Sequence, residues 1–275
     1  MSRLASVHIY PMKAGRAVDL AEARVEPWGL AGDRRWMLAD EDGRFVSQRE
    51  EPSLALVVVS ASPADGALTI AAPSQLALRV AIPEPDAPLL KVSVWGTVLL
   101  AAAAGPEAGG WFSAYLGRPV ILVYLDDPAT RRPVDPEFGR AGDTVSFADG
   151  FPLLLTTTGS LDGLGDWLIE DGDEPVPMTR FRPNVVVTGT PPWAEDGWRR
   201  VRIGAVTFRV ARPCGRCVVT TIDQRTGVRG RQPLKMLGRH RRVGQELVFG
   251  QNLIPDSTGV IRVGDPVEIL EASPG

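Results

Sequence analysis

Short runs of β character, each closed off by glycine, proline or aspartate, recur along almost the whole chain, and this pattern restricts the fold more than any other feature. The runs ASVHIYPM, RRWMLAD, LALVVVSA, ALTIAA, LLKVSVWG, PVILVYL, NVVVTG, RVRIGAVTFRV, CVVTTID and PVEIL are read as strands. Helical signals are confined to GPEAGGWFSAYLG (105–117) and SLDGLGDWLIE (160–170). In the second, Ser160 precedes Leu161, Leu164, Trp167 and Leu168 and is expected to cap the helix. Many punctuated strands with few helices predict a mainly β chain of barrel type rather than a doubly wound α/β sheet. After the first helical stretch, RPVILVYLDDPATRRPVDPEFG opens a new strand and a polar loop, so a boundary is expected there, with domains at 1–120 and 121–275.

A chain of 275 residues, 44% hydrophobic and 23% charged, can bury a sizeable core. It has no uninterrupted apolar stretch of about 18 residues, and its start, MSRLASVHIYPMKAG, lacks an apolar signal region. A cytoplasmic protein without membrane association is expected. His8 and His240 are the only histidines, which excludes a histidine-rich metal site. A Ser-His-Asp hydrolase would have to use one of them, and no GxSxG motif is present. His8, in SVHIY, reads as a packing residue, and His240, in GRHRRVG, as solvated or anion-facing.

Lysine occurs only at Lys13, Lys91 and Lys235, so 27 of the 30 basic residues are arginine. Residues 180–242 hold fourteen arginines and Lys235 against Glu195, Asp196 and Asp223, a net of +12 in a chain whose total is −3. A local anion site is implied, and the planar fork of arginine suits phosphate. Nucleic acid is not the expected anion, because the arginines are interleaved with strand patterns and few aromatic rings lie among them.

Both cysteines, Cys214 and Cys217, fall in RPCGRC. A thioredoxin-type dithiol needs a helix N-terminus, whereas VVTTI after Cys217 reads as strand. A closed zinc site needs four ligands, and His8 and His240 lie at unrelated positions. A single thiolate completing the shell of a metal held otherwise by a cofactor remains open, and a phosphate-bearing cofactor would account for the basic segment. Plain packing of a buried thiol is the structural alternative.

RPCGRCVVTTIDQRTGV resembles the cysteine segment of MOSC-domain proteins, in particular the branch of the mitochondrial amidoxime-reducing components and their bacterial relatives. The resemblance extends along the chain. IYPMKAG resembles the opening strand of the family's N-terminal domain, and GDRRWMLADEDGRFVSQREEP the segment that follows it. RFRPNVVVTG and AEDGW resemble the stretch opening the second half of the MOSC domain, and FGQNLIPDSTGVIRVGDPVEIL its end. The implied fold is an N-terminal β-barrel domain followed by a MOSC β-barrel domain.

The implied cofactor is molybdenum cofactor, a pterin whose dithiolene holds the metal and whose phosphate needs a basic anchor. By resemblance, Cys217 supplies the protein thiolate to molybdenum and is the catalytic residue, with Cys214 its neighbour. Lys13, Arg34, Arg182 and Asn184 match cofactor-contacting positions. Gly150 and Phe151 stand where relatives carry hydroxyl residues, so only backbone contacts are retained there, and Ala14 stands where relatives often have serine. Taken alone, Asn184 also suits a turn cap, Arg182 a carboxylate pair, Trp36 the core, and Arg49 either a brace of the cationic cage or a strand face.

The implied activity is reduction of N-hydroxylated compounds: amidoximes, hydroxylamines or N-hydroxylated bases. No further cysteine cluster exists to ligate an iron–sulfur centre, so electrons are expected from a separate ferredoxin, cytochrome or flavoprotein reductase. The alternative is an accessory protein that carries molybdenum cofactor or sulfur on Cys217.

Overall fold

A computed structural model of the chain describes residues 1–62 and 66–273. The described residues are mainly β, with four α-helices between the strands. The largest sheet follows the path Val267–Ala272, Trp198–Ile203, Val206–Gly215, Glu246–Pro255, Leu153–Thr157, Val185–Thr188, Arg3–Ile9 and Val18–Leu20. A ninth strand, Arg242–Val243, pairs with Glu246–Pro255 off this path. Leu153–Thr157 and Val185–Thr188 run parallel, joined through the helix Thr158–Glu170, as a parallel pair requires a crossover.

Four strands, Trp36–Ala39, Ile121–Tyr124, Thr97–Ala103 and Leu89–Val94, form a second sheet, and two three-stranded sheets complete the fold. Among the described residues no ladder joins the two ends of a sheet, so the barrel-type units are open. No helix of the described residues is long and apolar enough to cross a membrane.

Sheet membership does not follow chain order. The first strand lies inside the large sheet, with Val7 opposite Val185. Glu22–Glu26 pairs with Gly259–Arg262, and Ile121–Tyr124 with Trp36–Ala39. One core packs Leu4, Val7, Val185, Val201, Phe208 and Leu253 from the large sheet, while another packs Trp36, Leu38, Leu54, Ile70, Phe112 and Leu122.

Most expected strands form, with RVRIGAVTFRV folding as a hairpin, Trp198–Ile203 with Val206–Gly215. LALVVVSA begins instead in a 3-10 turn, Pro52–Leu56, before the strand Val58–Ala61. CVVTTID is not a strand, because Val218–Thr221 make a 3-10 turn behind Cys217. The Thr220 and Thr221 hydroxyls donate to the carbonyls of Cys217 and Val218 at 2.9 and 2.8 Å, and this local bonding displaces sheet pairing. The second helix starts earlier than expected, capped by Thr157, whose hydroxyl accepts the Ser160 N–H at 3.1 Å. Ser160 is buried instead and donates to Glu195 at 2.8 Å.

Gly250 adopts φ +78° within Glu246–Pro255, and a Cβ there would stand 2.5 Å from the Leu155 carbonyl oxygen. Gly250→Ala is expected to destabilise the fold by about 2–4 kcal/mol, combining left-handed strain with a backbone clash. Urea unfolding measures this as a lowered midpoint. An unchanged midpoint would mean that the strand shifts freely.

Candidate functional site

The end of the first strand is stitched to the loop before Trp36–Ala39. The Tyr10 N–H donates to buried Asp33 at 2.8 Å, the Arg34 N–H to the Tyr10 carbonyl at 2.7 Å, and the Lys13 N–H to the Trp36 carbonyl at 2.7 Å. These bonds bring Lys13 and Arg34 to one cleft wall. Arg34 continues across to the second half of the chain, donating to the Asn184 Oδ1 at 3.1 Å and the Arg182 carbonyl at 3.3 Å. Asn184 is buried, accepts the Leu154 N–H at 3.2 Å, and donates to the His8 carbonyl at 3.2 Å.

Lys13, Arg34, Gly150, Phe151, Arg182, Asn184 and Cys217 all line this open cleft of about 290 Å³. Six cations line it (Lys13, Arg34, Arg49, Arg182, Arg212 and Arg216) against two carboxylates, Asp149 and Glu246. The lining is therefore net positive by four, as an anion site requires.

The cations differ in how far protein groups compensate them. Burial works against the charge of Arg34, but buried Asp33 at 2.5 Å more than offsets it and holds the guanidinium protonated. Arg182 makes no ion pair with any described carboxylate; it donates to the Gly15 carbonyl at 2.7 Å. Burial pulls its pKa down to about 10. Both guanidiniums lie over the Tyr10 ring, 4.5 and 4.2 Å from its centroid. Burial pushes Tyr10 up to about 12, so its hydroxyl stays neutral and donates to the Pro183 carbonyl at 3.2 Å.

Lys13 is buried and paired with Asp149 at 2.5 Å. Burial lowers its pKa to about 8, with Asp149 opposing that fall. For Asp149 desolvation acts upward, but Lys13, the Trp95 indole N–H at 2.9 Å and Arg34 together hold its carboxyl well below the usual range.

The cysteine wall follows the last residues of Val206–Gly215. Arg216 donates to the Cys214 Sγ at 2.8 Å and to the Phe181 carbonyl at 2.5 Å, while its buried Nε has no partner. Arg212 pairs with Glu246. Cys217 is half-buried and makes no side-chain hydrogen bond to these arginines among the described residues, so the thiol engaged by a guanidinium is Cys214.

Further groups line the cleft or support its wall. Trp95 stands at the turn between Leu89–Val94 and Thr97–Ala103, half-exposed, with Phe45 against it at 4.7 Å. Arg49 stands in a turn rather than on a strand face and joins the cations of the cleft, its guanidinium stacked over Trp95 at 4.4 Å. Behind the wall, buried Arg132 donates to the carbonyls of Ser146, Ala148 and Asp149, fixing the loop that carries Gly150. RRP in an irregular polar loop offered no signal for this.

Ala14, Arg34, Trp95 and Arg182 line the cleft with φ of 69°, 49°, 51° and 56°. Each left-handed side-chain residue costs on the order of 1–3 kcal/mol, and such strain gathers where a site must be held in shape.

Residues 1–119 match the MOSC N-terminal beta barrel domain and residues 142–268 the MOSC domain. The chain is 33% identical to mitochondrial amidoxime-reducing component 1 of Mus musculus, over 97% of this chain and 82% of that protein. Component 1 of Homo sapiens is 31% identical over 97% and 82%, and component 2 of Homo sapiens 32% over 96% and 82%. With both domains matched in order and this identity across nearly its whole length, the chain belongs to the MOSC-domain family, alongside the amidoxime-reducing components.

Proposed function

We propose that the cleft binds molybdenum cofactor and that the protein reduces N-hydroxylated small molecules with electrons from a separate donor. The observation that carries this reading is the buried guanidinium of Arg182, which has no ion pair with a described carboxylate, in a cleft of net positive charge that also holds the Cys217 thiol. The donor set fits the cofactor's chemistry. Arg182 offers a fork to a phosphate, and Lys13 adds a point charge beside it. Asn184 retains one amide hydrogen not used by its protein partners, available to a pterin ring edge. Among the described residues no cluster of three or more His, Cys, Asp or Glu gathers, so a metal here would take its remaining ligands from the cofactor.

When bound, the cofactor supplies a metal centre that passes two electrons to an N–O bond. The chain's own residues orient and shield it. Cys217 would provide the protein sulfur ligand, while Arg216 donates to the neighbouring Cys214 thiol. Arg132 and Lys13 hold the 147–150 loop, so Gly150 and Phe151 present their backbone at a fixed place. Trp95, whose indole N–H donates to Asp149, and Arg49 stacked over it complete the wall beside that loop. Overall, an amidoxime takes up two electrons and two protons and yields an amidine and water.

The test is turnover by cofactor-loaded protein with an artificial reductant, followed as benzamidoxime consumption. Transfer of cofactor or sulfur to an acceptor apo-enzyme, without consumption, would establish the carrier alternative instead.

Lys13 makes the site pH-dependent. Its proton leaves the folded protein near pH 8, so cofactor retention is expected to weaken between pH 7 and 9 and to stay flat over that range in Lys13→Met. Fold stability moves the other way. The unfolded chain holds this proton up to about 10.5, so raising pH from about 8 to 10.5 favours the folded apo-protein through this group. Metal analysis after desalting at each pH, with parallel melting curves, separates the two. Retention independent of pH in both proteins would rule out Lys13 as an anchor.

A further inference from the structure

Residues 224–245 carry Arg225, Arg229, Arg231, Lys235, Arg239, Arg241 and Arg242 and no acidic residue, although the whole chain is net −3. All but Arg241 are exposed. Lys235 and Arg239 share Asp171, and Arg241 pairs with Asp196. Arg225, Arg231 and Arg242 make no ion pair among the described residues. Two aliphatic side chains stand among them, Val228 and Val243, 65% and 57% exposed.

This face borders the cleft at both ends. Gln224 donates to Gln48, a cleft residue, at 3.2 Å. At the other end, Arg242–Val243 pairs with the strand whose Leu247 carbonyl accepts the Arg216 N–H at 2.7 Å. The face is also held rigidly. His240, exposed at the end of the helix Leu234–His240, stacks one face on Trp167 at 4.3 Å, and Trp167 stacks on Trp193 at 5.0 Å. Trp193 meets Phe249 at 5.9 Å, and Phe249 stacks at 3.8 Å on Phe181 in the cleft wall. A packed run of rings thus leads from the basic face to the site, a dense medium for tunnelling in which no ring changes oxidation state.

Resting on the reductase reading above, we propose that the basic face of residues 224–245 is the docking surface for a small acidic protein that delivers single electrons. Breaking the amidoxime N–O bond to give amidine and water consumes two electrons and two protons. A one-electron carrier must therefore dock twice per turnover, its electrons passing to the cofactor and the protons coming from solvent. Such a complex has to be brief and electrostatically steered, which exposed arginines provide. Nucleic acid is the poorer match, because residues 224–245 hold no Phe, Trp or Tyr on which successive bases could stack.

The test compares the full chain with Arg225→Glu/Arg231→Glu/Arg242→Glu and with a control reversal elsewhere, Arg24→Glu/Lys91→Glu. Binding of a plant-type [2Fe–2S] ferredoxin and of an acidic soluble b-type cytochrome is measured by calorimetry across a salt series. Turnover is measured with each donor and with dithionite-reduced methyl viologen. At least one acidic donor is expected to bind wild type with affinity falling steeply with salt. The triple variant is expected to bind it at least tenfold more weakly and to need at least tenfold more donor for half-maximal rate. Its viologen-driven turnover, and all properties of the control, should stay within about twofold. Unchanged donor binding by the triple variant overturns the proposal, as does failure of both donors to bind wild type. Salt-dependent binding of an RNA 20-mer with neither donor bound overturns it in favour of nucleic acid. If viologen-driven turnover is absent in wild type, the reductase reading fails, while calorimetry still decides the docking surface.

Discussion

Cys217→Ala is expected to lose at least about 100-fold in reductant-driven turnover of benzamidoxime and to retain less molybdenum, while Cys214→Ala stays within about threefold of wild type. The asymmetry follows from the cleft wall. Cys214 is engaged by Arg216 at 2.8 Å, whereas Cys217 has no such tie among the described residues. Loss of supporting groups around a metal already costs about 10–100-fold, and loss of the protein ligand should exceed this. Cys217 is half-buried, so removing its sulfur leaves no large cavity and the circular dichroism and melting curve should change little. Metal analysis and turnover on both variants decide the matter. If Cys214→Ala is the inactive one, the ligand assignment is reversed.

Arg182→Asn is expected to weaken cofactor retention by about 10–100-fold without destabilising the apo-protein by more than about 1 kcal/mol. Charge-assisted hydrogen bonds contribute about 1.5–3 kcal/mol each, which sets the scale of the loss. On the other side stands the present discomfort of the arginine, with burial drawing its pKa down to about 10, no ion pair to a described carboxylate and φ at 56°. Asparagine tolerates that backbone region and carries no charge to desolvate. The Gly15 carbonyl that loses its guanidinium partner lies beside an open cleft and can take water. Melting curves of apo and loaded protein should therefore diverge in wild type and nearly coincide in the variant, since ligand bound to the folded state raises its stability. A variant that melts much lower without cofactor would make Arg182 a structural residue.

The strands with alternating or β-branched character were legible because half-buried sheet positions demand that chemistry, and the resemblance brought seven dispersed residues to one cleft. Leu153–Thr157 was not read, since it is buried along its whole length and shows no alternation. VVTT misled for a different reason. Its threonine hydroxyls satisfy nearby carbonyls and make a turn out of residues that favour strands. The contacts of Trp95, Asp149 and Arg132 come from a hairpin tip and a loop distant in sequence, so no local pattern could announce them. The same holds for the two guanidiniums over Tyr10, which meet only when the first strand lies beside Val185–Thr188.

That placement of the first strand has a consequence at the ribosome. Arg3–Ile9 leaves the exit tunnel roughly 175 residues before its partner, Val185–Thr188. Until then its apolar face has no native neighbour on that side, and a long loop must close before pairing rewards it. Biogenesis should accordingly lean on chaperones that shield nascent strands, more than the modest size of the protein would suggest.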